Sequence, residues 1–461
     1  MPSIRNTDVL RKAGNAAVRQ PLLDIANETL HTLNSARLIP TLMRVDGTRL
    51  IIGERSWDLA RYTRIFVIGA GKAGNHMARA VDAILGERIS WGLVVVKQLE
   101  EADKAVRHIE LALGGHPYPN RSGWEATHKI LAKLESCDAQ TLVLTVFSGG
   151  SSALMNCPVE GVTLEEEREL TKLLLTAGAN ILEINTVRRH VSAVNGGRLA
   201  QRLASTGAEV VNLVLSDRVD DKAVGTPSVP VSYTGTQIGL DPTTFEDARV
   251  ILRRYNLEEK TPASILAHLA NAAGTPETPK APLPRQHTFV IQGLTDACAA
   301  ALDSAKKAGI PAYVLTSALE GDSRQAGFFL GAIAREIRYH QRPFPSPCLL
   351  IAAGETTVRI DGPAGLGGPS QELAAAFAHQ IDGLKDIAVI AIETEGTDGP
   401  TTLAGALTDD TTASRARRED KNLLDALKFH DCCPLLTQLN DHLVTGNTGT
   451  NLCDLNLVYI K

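Results

Sequence analysis

Aromatic residues are scarce, at 4% of 461 residues, and neither sign of charge dominates, the net charge being −5. Such a balance offers no general attraction to nucleic acid or an anionic membrane, so any anion-binding site must be local. Long apolar runs are missing too. A membrane helix needs roughly 20 apolar residues in a row, and the opening MPSIRNTDVLRKAGNAAV has no apolar core of the kind a secretory leader carries. The seven cysteines are odd in number and scattered, with Cys432 and Cys433 adjacent and no CxxC pair. That usage predicts reduced thiols, a cytoplasmic protein and no zinc site. What remains is a globular composition, 44% hydrophobic and 21% charged. The length predicts two or three domains.

What is present is a recurring rhythm of apolar strand, small-residue loop and helix. Residues 6–45 read as helical, with Leu10, Ala13, Ala17, Leu22, Ile25 and Ala26 on one face. Strands follow at 64–68, 93–96, 142–147 and 210–215, and after a Pro-rich linker at 273–286 they resume at 287–291, 312–315, 348–352 and 387–391. Helices are predicted between them, one opening on the Thr163–Glu166 capping box and one at Asn185. The pattern predicts an α/β protein of two domains, 1–280 and 287–461. Each is expected to be a mostly parallel, doubly wound sheet with helices on both faces, with an active-site cleft between the two.

Several loops carry chemistry. Leu142–Phe147 stops abruptly at Ser148-Gly149-Gly150-Ser151-Ser152. Two glycines allow close backbone approach there, and the hydroxyls orient a ligand without adding charge. Gly69–Gly74 fits GxGxxG, a dinucleotide fingerprint that is weak unless an acid follows about 20 residues on. Here Lys97 ends the second strand and Glu100 comes only after it. Lys72 stands inside the glycine loop, where its ammonium and a helix N-terminus would together favour an anion such as a phosphoryl group in transfer. The bland alternative is a solvated lysine. Asp217, Asp220, Asp221, Glu355 and Asp398 follow strands and offer the hard oxygens that suit Mg²⁺, or a base for a hydroxyl proton; solvated turn residues are the alternative. No GxxxxGK[ST] is present, so a nucleotide is not held by a P-loop. Arg188, Arg189 and Arg198 could pair with a carboxylate, and His116 could bind substrate or move a proton.

Taken together, the segments GAGKAG (69–74), GGHPYP (114–119), SGGSSALM (148–155), NTVRRHVSAVNGGRLA (185–200), LSD (215–217), AGETTV (353–358), GGPSQELA (367–374), GTDGP (396–400) and TGNTGTNLCDL (445–455) resemble the class II glycerate 2-kinases, whose C-terminal part is the MOFRL domain. The resemblance runs over nearly the whole chain. It implies ATP and Mg²⁺ as cofactors, a small hydroxy acid as substrate, and transfer of the γ-phosphoryl to the 2-hydroxyl of D-glycerate. It implies no nucleic-acid or membrane partner and is compatible with a homodimer. Residue by residue, it implies a catalytic role for Lys72 and Asp217. Substrate contacts would come from Ser148, Gly149, Gly150, Ser151, His116, Arg188 and Asn195. Nucleotide contacts would come from Gly69, Gly71, Gly354, Glu355, Thr356, Gln371, Glu372, Asp398 and Asn451, and metal contacts from Asp217 and Asp221.

The chain also departs from the family pattern. Pro369 stands where many relatives have an arginine, Ser151 where a glycine is usual and Asn195 where a lysine is usual, and the stretch after Asp217 is longer and altered. These changes leave a larger four- or five-carbon sugar acid or a keto-acid open as the acceptor. Two other readings stand beside the kinase: an NAD(P)-linked hydroxypyruvate reductase resting on the glycine fingerprint, and a non-catalytic sugar-acid sensor.

Overall fold

The structure is a computed structural model and describes residues 3–218, 236–270, 274–360 and 362–461. It divides into two compact units. One comprises Ile39–Leu215 with Gly225–Ile291; the other comprises Met1–Leu38, Ser216–Val224 and Gln292–Lys461.

In the first unit six strands form one sheet in the spatial order Glu110–Leu113, Trp91–Val96, Arg64–Gly71, Thr141–Phe147, Glu209–Leu215 and Gln286–Gln292. The four successive pairings from Glu110–Leu113 to Glu209–Leu215 are all parallel. From Arg64–Gly71 the chain first adds strands on one side and then, from Thr141–Phe147, on the other. The loops after those two strands therefore flank a topological switch point, where open α/β sheets bind ligands. Every residue of Thr141–Phe147 is buried, as a central parallel strand covered on both faces must be. Phe66, Ile68 and Val143 pack against Ala126, Ile130 and Leu134 of the helix Arg121–Leu134 and against Leu199 and Leu203. The helix Gly74–Leu85 buries Met77 and Val81, its first glycine lying close to Val94 and Val96. A small antiparallel sheet, Met43–Asp46, Arg49–Ile52 and Arg55–Asp58, precedes all this; a continuous helical reading to residue 45 runs into its first strand.

The second unit has a six-stranded sheet in the order Ala312–Asp322, Cys348–Thr357, Asp454–Ile460, Ile387–Glu393, Gly405–Asp409, His442–Leu443. Only its first pair is parallel; the other four pairs are antiparallel. This corrects the expectation of a mostly parallel second sheet. The C-terminal strand Asp454–Ile460 inserts between two strands that run the same way and opposes both. Neighbouring residues of Cys348–Thr357 face opposite layers. Leu350 and Ala352 meet the helices Ser323–His340 and Pro369–Gln380, whereas Leu349, Ile351 and Ala353 meet Ala16–Leu33 and Leu294–Lys307.

The domain boundary expected between 280 and 287 also falls elsewhere. The strand Gln286–Gln292 edges the first sheet, the Val210 N–H donating to the Arg285 carbonyl (2.9 Å). The first 38 residues belong to the second unit, with Leu10, Val18, Leu22 and Ile25 in its core. They are fastened by Arg19, fully buried, which pairs with Asp409 and with Asp441 Oδ1 (2.7 Å) and donates to the Leu10 carbonyl. Gly14 separates the first two helices because a Cβ there would meet an Asp409 carboxylate oxygen at 2.1 Å. All seven cysteines are unpaired thiols. Among the described residues no helix is long and apolar enough to cross a membrane.

Candidate active site

The two loops at the switch point are laced together by their own backbone. The Lys72 N–H donates to the Gly149 carbonyl (3.0 Å), the Ser148 N–H to the Ala70 carbonyl (3.2 Å), and the Ala73 N–H to Ser148 Oγ (3.0 Å). Helix Gly74–Leu85 has no side-chain cap from Ala73, so the buried Ser148 hydroxyl takes over one donor at its start. Gly71 has φ +150°, and a Cβ on it would meet Ser148 Oγ at 2.0 Å; one on Gly69 would meet the Val146 carbonyl oxygen at 2.0 Å. Close approach of neighbouring strands explains both glycines without a nucleotide. Gly150, at φ +83°, lies between two reactive side chains: a Cβ there would meet His116 Cδ2 at 2.9 Å and Lys72 Cγ at 3.1 Å. Lys72, His116, Ser148, Gly149 and Gly150 are thus brought together.

Beyond this group the remaining substrate candidates form a second shelf. Ser151 Oγ donates to Gln237 Oε1 (3.1 Å), Asn195 Nδ2 and Arg188 Nη2 both donate to the Ser152 carbonyl (3.4 and 3.2 Å), and Thr236 Oγ1 donates to Asn195 Oδ1 (2.8 Å). Arg188 and Glu167 are both buried, and Glu167 Oε2 accepts from Asn156 Nδ2 (2.6 Å). Burial pushes Arg188 down and Glu167 up, each opposed by the other's charge. Glu167 is thus a buried counter-charge acting on Arg188. The helix carrying Arg188 spans Ile181–His190 and is capped by Asn180 with Glu183 in a capping box, so it begins before the predicted Asn185.

In the second unit the candidates separate into two groups. One surrounds Cys453. Its thiol donates to the Asp217 carbonyl (2.9 Å), with Glu355 Oε2 as the alternative acceptor at 3.6 Å, and Asn451 Nδ2 donates to Asp217 Oδ2 (3.4 Å). Burial, then Glu355 and Asp217, hold this thiol well above its ordinary range, so it stays a neutral donor. Glu355 is exposed and Asp217 half-buried. Asp221 lies outside the described residues, as does Asp220. Among the described residues no three His, Cys, Asp or Glu side chains are placed to hold a metal together.

The other group is committed to the fold. Asp398 accepts from the backbone N–H of Ser370 (3.0 Å), that of Gln371 (2.9 Å) and Gln371 Nε2 (2.8 Å), capping the helix Pro369–Gln380. Gly368 is required beside it, since a Cβ would lie 2.4 Å from that carboxylate. Pro369 sits at the first helical position, where its missing N–H has no cost. Asp454, which the sequence reading passed over, accepts from the Thr356 N–H (3.0 Å), Thr356 Oγ1 (2.9 Å) and Ser370 Oγ (3.2 Å). Burial and the adjacent Asp454 push Asp398 up to about 7. Glu372 turns instead to His430 Nδ1 (2.7 Å); Gly354 presses on the Leu319 carbonyl oxygen, 2.0 Å from where a Cβ would be. The signal for Asp454 was in the sequence: in TGNTGTNLCDL it opens the strand whose register sets it opposite both Gly354 and Glu393.

Residues 21–270 match a domain of unknown function (DUF4147), and residues 348–454 match the MOFRL family. A glycerate 2-kinase of Pyrococcus horikoshii is 36% identical over 94% of this chain and 96% of its own. A protein of Agrobacterium vitis, provisionally named a hydroxypyruvate reductase, is 34% identical over 86% of this chain and 87% of its own. The crystal structure of glycerate kinase from Thermotoga maritima superposes with a TM-score of 0.78 at 32% identity, covering 97% of this chain and all of that one. The chain belongs to the glycerate kinase family, with a MOFRL region in its C-terminal half.

Proposed function

We propose that the chain transfers the γ-phosphoryl of ATP to the 2-hydroxyl of D-glycerate, giving 2-phosphoglycerate and ADP. The carrying observation is the meeting of Lys72 and His116 at Gly150 beside a topological switch point. In the transfer the substrate hydroxyl oxygen bonds to phosphorus as the bond to the bridging oxygen of ADP breaks. Charge spreads over the equatorial oxygens, and the Lys72 ammonium stabilises it. His116 accepts the hydroxyl proton. Ser148, Gly149 and Gly150 set the loop that positions both, and Asn195 and Ser151 support it through Ser152 and Gln237. Asp217 and Glu355 carry carboxylate oxygens of the hard kind that Mg²⁺ takes, and both residues border Cys453, Asp217 through its backbone carbonyl and Glu355 through Oε2. Bound there, Mg²⁺ would neutralise phosphate charge. Asn451 orients Asp217. We place the enzyme in the cytoplasm.

The reductase reading is disfavoured by the same geometry. Two N–H groups of the glycine loop, those of Lys72 and Ala73, are already bonded to Gly149 and Ser148. Glu100, the acid a ribose would need, is paired with Arg79 Nη1 (3.0 Å). The test is ADP release with ATP, Mg²⁺ and D-glycerate, beside four- and five-carbon sugar acids and an NAD(P)H-plus-hydroxypyruvate control. Release strongest with glycerate is expected; NAD(P)H oxidation without ADP release would overturn the reading.

A further inference from the structure

A cavity of about 490 Å³ opens at the far end of the first unit's sheet, lined among others by Arg55, Trp57, Arg61, Tyr62, Arg285 and His287. Its walls are the entries to the strands: Tyr62 precedes Arg64–Gly71, Ala139 precedes Thr141–Phe147, Glu209 opens Glu209–Leu215, and Arg285 precedes Gln286–Gln292. Lys72 and Ser148 stand at the exits of the first two. A seven-residue strand is roughly 20 Å long, so a ligand in this cavity cannot touch the group being transferred.

The cavity has more positive charge than its own acids neutralise. Three guanidiniums face two carboxylates, and both carboxylates are occupied. Glu209 accepts from His287 Nε2 (2.6 Å), Arg285 Nε (3.0 Å) and Trp57 Nε1 (3.3 Å). Asp58 caps the short turn after it through the Ala60 N–H (3.1 Å). His287 lies between Glu209 and Arg55, its Nε2 against Glu209 (2.6 Å) and its Nδ1 against Arg55 Nη1 (2.6 Å). Arg61 has no ion-pair partner among the described residues. Guanidiniums held this way are preset for bidentate contact with phosphate oxygens, and the volume suits a molecule of sugar-phosphate size.

We infer that this cavity is a second binding site, separate from the switch-point loops, for a small acid carrying a phosphate monoester. The Arg61 and Arg55 guanidiniums hold the phosphate, and Arg285, anchored on Glu209, closes the other wall. Since Thr141–Phe147 runs from Ala139 to Ser148, occupancy bears on the strand that carries the Ser148 loop.

Calorimetric titration of the full chain with 2-phosphoglycerate, and separately with inorganic phosphate, tests this at low salt. Lys72→Ala removes the loop cation, so binding that persists in that variant reports the second site. The expected result is persistent binding of 2-phosphoglycerate, weakened at least tenfold by Arg61→Glu and also weakened by Arg55→Gln, with catalytic turnover in the Arg61 variant at the wild-type level. Arg61 is exposed, so its replacement leaves folding intact. Absence of binding in Lys72→Ala, or binding indifferent to both arginine variants, overturns the inference. The titration needs no turnover, so it stands or falls independently of the acceptor assigned above.

Discussion

The Ser148–Ser151 loop of one unit and the Asp398–Asp454 cluster of the other are both polar and buried, and the sequence points to ligand contacts at the loop and at Asp398 but not at Asp454. They differ in what their groups are bonded to. In the loop, the bonds run from backbone to backbone or from a backbone N–H to a hydroxyl: the Lys72 N–H reaches the Gly149 carbonyl and the Ala73 N–H reaches Ser148 Oγ. In the cluster, the charged groups themselves are the bonding partners: Asp398 holds three donors of a helix start, and Asp454 holds Thr356 and Ser370. Removing a charge should therefore abolish chemistry in the first region and structure in the second.

The sharpest way to break that contrast is Lys72→Ala. Turnover should fall about a thousandfold, ~4 kcal/mol of barrier, with melting temperature within about a degree or two of wild type, since its backbone bond to Gly149 remains. ADP release and a thermal melt on one preparation decide it. Wild-type turnover sinks the proposed chemistry.

Asp398→Ala is the mirror experiment. It strands two helix-start N–H groups and the Gln371 amide in a buried place, so stability should drop by about 3 kcal/mol. Its pH behaviour is diagnostic as well. The folded-state pKa lies near 7, above the ordinary carboxylate range. The stability associated with the protonated form is therefore fully present below about pH 4 and is lost as pH rises through about 7. Denaturant titrations across pH 4–8 should show that decline in the wild type and a flatter profile in Asp398→Asn. Identical profiles would mean that Asp454, not Asp398, keeps the proton.

Sequence made the first region more legible than the second for a physical reason. A parallel strand ending in glycines beside a lysine is a local pattern, and Lys72, Ser148 and Gly150 are all local to such ends. The role of Asp398 depends on Ser370 and Gln371, nearly thirty residues away, and that of Asp454 on a strand inserted antiparallel between two others. Strand direction is not written in hydrophobic pattern, which is why the second sheet was expected to be mostly parallel. The same blindness affected the N-terminal helices: their apolar face was visible, but the sheet it covers, tied through Arg19 to Asp409 and Asp441, was not. Arg188 was legible as a buried-site arginine only in type; its counter-charge Glu167 sits in a run of glutamates that looks solvated.

Gly150→Ala probes the loop without touching charge. The left-handed backbone costs an L-residue about 1–2 kcal/mol, and the new methyl would press His116 and Lys72. Turnover should fall roughly a hundredfold by misplacement, more than the melt alone accounts for. A variant that melts early but turns over normally per folded molecule would show that the placing of Lys72 and His116 against Gly150 is incidental.

The smallest expected effect is the most informative about the acceptor. Ser151 is buried and donates to Gln237 Oε1, whose own amide nitrogen has no hydrogen-bond partner among the described residues. Ser151→Gly restores the residue usual in the resembled family and removes one neutral hydrogen bond, for a stability loss of about 1 kcal/mol. If Ser151 shapes the acceptor pocket by holding Gln237, kcat/KM for glycerate relative to a four-carbon sugar acid should shift by a few fold in this variant, through KM and not kcat. If both substrates weaken equally, Ser151 supports the loop and selects nothing. The departure from the usual glycine would then mark a repacked strand exit and leave glycerate as the acceptor without qualification by this residue.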